Sequence, residues 1–210
     1  MPKELRHIIT EVRSEGEDEG KKAAGVGIVY DEWTEIWPGY KERIKKGAVT
    51  RDAVVKSFFN HDPSQVLSTT ESTPALELKD TSKGLEYISP IPPTSYGKDL
   101  EVNLERGNVK GSSFTFDVPE DGDKRWEEDG IFHRDIKKIN LYEIGPVTDP
   151  AYIKTSANLR SAEDVYKEFL ASKSQADEEA RKTQEKEQRA ASQAEAERER
   201  ELKILEYEVI

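Results

Sequence analysis

The 210-residue chain has no cysteine, which excludes disulfide scaffolds, thiolate-ligated zinc and thiol catalysis. Three histidines are too few for a His-rich metal centre. Positive charge is in deficit: 32 Lys and Arg against 43 Asp and Glu give a formal net charge of −11. That balance argues against sequence-independent nucleic-acid binding, which needs a cationic surplus to neutralise phosphates. No apolar run approaches the roughly 20 residues of a membrane helix. The first twenty residues are too acidic and polar to read as a secretory signal. The expectation is a soluble intracellular protein with neither membrane nor nucleic acid as partner. A Walker A loop, a G-x-G-x-x-G turn and a G-x-S-x-G elbow are all missing, so phosphate-cradling and α/β-hydrolase sites are disfavoured.

What remains is unevenly distributed. Hydrophobic residues make up 34% and charged residues 36%, so a core can form in only part of the chain. All ten prolines and all thirteen glycines precede residue 161. After it the sequence is dominated by Ala, Glu, Gln, Lys and Arg, strong helix formers, with a net charge of −5 over residues 161–210. This predicts a globular domain over 1–160 and a long, exposed, partly disordered helical tail over 161–210. Apolar residues are too sparse for a coiled-coil seam. The tail ends in an apolar patch, Leu202, Ile204, Leu205, Tyr207, Val209 and Ile210, which reads as a packing end or as a docking tag.

Residues 1–160 contain short runs rich in Val, Ile, Thr, Tyr and Phe, separated by turn signals: HIITEV, AAGVGIVY, ALELK, GLEYISPI, SSFTFDV and INLYEIGPV. Helical stretches are few. Ala53 to Phe59 is short; Ser95 to Arg106 is stronger, with Leu100 and Leu104 on one face and Gly107 at its stop. The expected class is α+β, mainly β: a compact barrel or sandwich with a few helices.

Three polar clusters interrupt the apolar runs: Asn60-His61-Asp62, Gly111-Ser112-Ser113-Phe114-Thr115-Phe116, and Leu141-Tyr142-Glu143-Ile144. Singly, each has a bland reading as a packed His, a small strand residue or a solvent-facing Glu. Together they supply a nucleophile, a base and an acidic orienter, the set that serine acyl transfer needs. His133 is a rival third member, and His7 reads as exposed or structural. Asp121, Asp123, Glu127, Glu128 and Asp129 read as a solvated acidic loop, a poor match to a calcium loop.

The order and spacing of these clusters resemble the tailed-bacteriophage prohead (capsid maturation) serine proteases, related in fold to the herpesvirus assemblin proteases. The resemblance runs over roughly residues 8–157. It comprises the strand Gly25-Val26-Gly27-Ile28-Val29-Tyr30, a segment Glu42 to Val49 like E-x-I-x-P-G-A-F, and Asn60-His61-Asp62. Leu76-Glu77-Leu78 through Gly84-Leu85, then Pro92-Pro93-Thr94, follow. The serine element is Gly111 to Phe116, and Leu141 to Tyr152 is similar to L-x-E-V-S-x-V-x-x-P-A-Y. Lys46, Val49 and Gly145 stand where that pattern has Pro, Phe and Ser. The Phe that follows the family's serine is Phe114, which selects Ser113 over Ser112; strand alternation places Ser113 opposite Phe114 and Phe116.

The resemblance implies an assemblin-like β-barrel and a serine endopeptidase that cuts capsid and scaffold chains, and itself, inside the immature shell in the host cytoplasm. Ser113 would be the nucleophile, His61 the base and Glu143 the third member, with His133 the alternative. Backbone N–H groups would form the oxyanion hole, and no metal or cofactor is needed. A homodimer is expected by the same analogy. The competing expectation is a catalytically inactive scaffold or capsid-assembly chaperone of the same fold.

Overall fold

The computed structural model describes residues 3–16, 20–149 and 156–208. In chain order they form β1 (Glu4–Ile8), β2 (Val12–Glu15), β3 (Lys22–Val29), β4 (Thr34–Trp37), β5 (Tyr40–Ile44), β6 (Val49–Thr50), β7 (Lys56–Phe58), β8 (Val66–Thr69), β9 (Glu77–Asp80) and β10 (Gly84–Pro90). Helix α1 (Ser95–Glu105) follows, then β11 (Gly111–Asp117), β12 (Asp123–Glu128), β13 (Ile131–Ile136), β14 (Ile139–Val147) and helix α2 (Ser156–Glu208). The mainly-β class expected from the sequence is what the strands build. Their closure differs: among the described residues they form three open sheets and no closed barrel.

The first sheet runs β1-β11-β14-β7-β8, with β6 also on β14; the second runs β2-β3-β10-β9; the third runs β12-β13-β5-β4. The first two pack face to face. Phe114, Phe116, Leu141 and Ile144 meet Ile28, Leu85 and Tyr87 in the main core, each large side chain contributing about 1.5–3 kcal/mol by leaving water. Gly27 marks the closest approach, since a Cβ there would lie 2.2 Å from Ile144 Cδ1. A smaller core gathers Val12, Phe59, Leu67, Leu100 and Leu104. It receives the buried face of α1, whose first turn is capped by the Thr94 hydroxyl accepting from the Gly97 N–H at 3.2 Å.

Several local expectations change. Ala53 to Phe59 is not helical but leads into β7; its β-branched and aromatic residues fit a pleated surface better than a helix. The acidic stretch 121–129 is not a loop. Most of it is β12, and Asp123 accepts hydrogen bonds from Arg125 and Arg134. No group of three or more His, Cys, Asp or Glu side chains is gathered for a metal ion among the described residues.

The chain divides into two compact units, residues 1–164 and 165–210. The second is helix throughout its described length, with exposed i,i+4 pairs such as Lys182–Glu178 at 2.7 Å. The side chains of its apolar end, Leu202 to Ile210, lie outside the described residues, as do Pro150, Ala151 and Tyr152.

Candidate active site

Period-two alternation along β11 decides which serine faces where. Ser112, Phe114 and Phe116 turn toward the second sheet; the Ser112 hydroxyl lies 3.2 Å from the Tyr87 hydroxyl and 3.2 Å from that of Thr10. Ser113 and Thr115 therefore share the other face. Across the first sheet, His7 of β1 and Gly145 of β14 flank Ser113 in register, and Glu143 stands opposite Thr115.

Glu143 reaches that face through a bulge. Leu141 and Glu143 are two residues apart and in a regular strand would point the same way. The pairing slips between Thr115 and Phe116, so that Glu143 opposes Thr115 while Leu141 opposes Phe116. One extra residue, Tyr142, keeps both Leu141 and Ile144 in the core and turns the carboxylate outward.

His61 arrives from a tight turn after β7. Asn60 and His61 both adopt left-handed backbone, with φ of 54° and 60°, a conformation that costs free energy for residues with side chains. Neighbours hold it. The Asn60 N–H donates to the Pro146 carbonyl at 3.1 Å, and Asn60 Oδ1 accepts from the Thr148 N–H at 2.9 Å. Asp62 Oδ1 accepts from the Ser64 N–H at 2.9 Å. The flanking Asn and Asp thus fix the turn, and His61 Nδ1 meets Glu143 Oε1 at 2.7 Å. A carboxylate only accepts, so Nδ1 carries the proton and Nε2 presents its lone pair. Glu143 is steadied from its other side by the Thr115 hydroxyl, which donates to Oε2 at 3.2 Å.

Three buried side-chain polar atoms have no hydrogen-bond partner among the described residues: His7 Nδ1, Ser57 Oγ and His61 Nε2. All three border this face. His7 neighbours Ser113 and packs its ring against that of His61, with centroids 5.3 Å apart; Ser57 Oγ lies 3.2 Å from where a Cβ on Gly145 would stand. Unsatisfied buried polar atoms are rare in folded proteins, and three of them on one sheet face set that face apart. A cavity of about 340 Å³ lies toward the other face of β1, lined by Arg6, Ile8, Ile28, Ile44 and Phe114, with His7 also in its wall.

The structure thus brings His61 and Glu143 into direct contact and sets Ser113 on the same face. The Ser113 hydroxyl itself donates to the Arg6 carbonyl at 2.9 Å, and the residue is fully buried. His133 is elsewhere: on β13 of the third sheet it stacks on Trp126 at 5.1 Å, with Nδ1 3.0 Å from the Ile131 carbonyl oxygen. Sequence reading did not single out Thr115, although its place two residues after Ser113 puts it on the same strand face. It read His7 as exposed or structural, because the position of His7 beside Ser113 depends on a pairing across 106 residues of sequence.

A family model described as caudovirus prohead serine protease matches residues 9–168. The chain thus falls within a class of serine peptidases. The chain is a member of the caudovirus prohead serine protease family, whose role is capsid maturation. No curated protein and no solved structure matches it.

Proposed function

We propose that this chain is an endopeptidase that cleaves capsid and scaffold proteins, and itself, within the maturing prohead, on a fold related to that of the assemblins. The observation that carries the reading is the His61–Glu143 hydrogen bond at 2.7 Å, which leaves His61 Nε2 buried and unpaired beside the sheet face bearing Ser113. In this reading the Ser113 hydroxyl turns from the Arg6 carbonyl to His61 Nε2 when substrate enters. Its oxygen attacks the scissile carbonyl while its proton passes to Nε2. Glu143 stabilises the imidazolium, which then protonates the departing amine. Water, deprotonated by the same imidazole, releases the acyl group.

The test is covalent labelling of the full chain by a fluorophosphonate, with mass spectrometry of self-cleavage. Ser113→Ala abolishes both, whereas Ser112→Ala retains both if it folds. A Ser113→Ala chain that still cuts or labels at the normal rate overturns the assignment.

A second reading, an inactive scaffold or assembly chaperone, is favoured by the engagement of the Ser113 hydroxyl with Arg6. An uncut, unlabelled wild-type chain would support it. We further propose that the helical tail delivers the domain into the assembling shell and is later removed. Unchanged incorporation into particles of a chain ending at residue 168 rejects that role.

A further inference from the structure

We propose that His7 is a positioning residue of the same site: its ring, set beside Ser113 by the β1–β11 register, buttresses the His61 imidazole so that Nδ1 stays on Glu143 and Nε2 stays free. The inference rests on the reading of Ser113 and His61 given above. It concerns a strand that lies ahead of residue 9, where the family match begins.

Four observations converge. His7 pairs directly with Ser113, and its ring meets that of His61 edge to face, with centroids 5.3 Å apart and planes at 80°. Its Nδ1 is buried with no partner, so no hydrogen bond at that nitrogen draws the ring away from its contact with His61. The strand that carries it is anchored on the opposite face. Glu4 and Arg6, which both precede His7 and share the opposite strand face in the period of two, enter a buried ion cluster: Arg6 Nε donates to Glu42 Oε1 at 2.8 Å, and Arg134 donates to Glu4 at 2.8 Å and to Glu42 at 2.9 Å. His7 therefore projects from a rigid support.

Two imidazoles in contact compete for one proton, and a base is useful only if it wins. Burial, then the neighbouring His61 and Arg6, draw the His7 pKa down to about 4, against weaker upward pulls from Asp149 and Glu143. His7 thus stays neutral near pH 7, while Glu143 stands on His61 to receive its imidazolium. Pairs of groups whose environments separate their proton affinities are a recurring way of assigning acid–base roles.

The experiment uses the full chain. Three histidines make the ring Cε1–H NMR spectrum assignable, and fluorophosphonate labelling reads Ser113. His7→Phe keeps a flat ring against His61; His7→Gln keeps polarity and loses the ring. The expected result is a labelling step about tenfold or more slower in His7→Gln, with initial probe affinity unchanged, a shifted His61 titration midpoint, and recovery to within about threefold in His7→Phe. Equal losses in both variants, or a His7→Gln chain with wild-type labelling and wild-type His61 titration, overturn the proposal while leaving the peptidase reading intact. A wild-type chain that does not label at all rejects the peptidase reading. In that case the His61 titration alone decides His7: a midpoint moved by His7→Gln and restored by His7→Phe supports the buttress, and an unmoved one rejects it.

Discussion

A methyl group at position 145 would sit 2.4 Å from the Phe58 carbonyl oxygen. The missing side chain lets the segment from Phe58 to His61 lie directly on β14. Gly145→Ala should therefore cost about 2 kcal/mol in urea unfolding, as forced overpacking does, and should slow fluorophosphonate labelling by moving the His61 turn. Glu143→Gln should leave the fold intact and reduce labelling about a thousandfold or more, because the amide no longer fixes the imidazole tautomer. His7 adds a pH signature. Its pKa falls from 6.5 in the unfolded chain to about 4 in the fold, so its contribution to stability is fully present above 6.5 and is lost as pH falls through 4. Urea midpoints followed down that range should decline more gently in His7→Phe than in the wild type. At this scale Asn60-His61-Asp62 and Ser113-Phe114 were singled out by their order and by the family resemblance, since each alone has a bland reading, and strand alternation supported Ser113. Thr115 could have been found by the same alternation, whereas His7 could not, since nothing near it in sequence refers to Ser113.

The strands are positioned by features that single residues do not reveal. The bulge at Tyr142 sends Glu143 to the site face, and no pattern in LYEI announces it, because Leu, Glu and Ile are compatible with either register. The edge strand β1 is secured by the cluster of Glu4, Arg6, Glu42 and Arg134, with the Tyr40 hydroxyl donating to Glu42 at 3.1 Å. This assigns a structural task to Glu42, one of the motif residues. Arg134 is 1% exposed, so Arg134→Met, which leaves the carboxylates of Glu4, Glu42 and Asp123 each short of a partner, should destabilise the fold by about 3–5 kcal/mol in denaturant melts. Burial works to raise the Glu42 pKa, but Arg6 and Arg134 outweigh it and hold the carboxyl at about 2, below its ordinary 4.5. Stability from this group is complete above pH 4.5 and is lost as pH falls through 2. Helix α1 was the easiest element to read, since its cap, its buried leucines and its end are all written within a dozen residues.

For the whole molecule, composition separates a proline- and glycine-bearing part from a helix-forming one, and the compact units divide nearby, at residue 164. Exposed i,i+4 ion pairs contribute only about 0.3–0.5 kcal/mol each, so the tail should melt gradually. A chain ending at residue 168 should lose helical circular dichroism and keep the cooperative transition of the β-rich unit within about 2 °C; a large fall in its midpoint would mean that the tail supports that unit. What the amino-acid order determined alone was local: strand-forming runs, the capped helix and the charged tail, set by propensity and period over a few residues, with the family motifs legible by resemblance. The three-sheet arrangement, the bulge behind Glu143, the burial of Arg134 and the meeting of His7 with His61 were decided only by tertiary structure. Each depends on strands brought together across long sequence separations, where packing and ion pairing select among registers that the local sequence leaves equivalent.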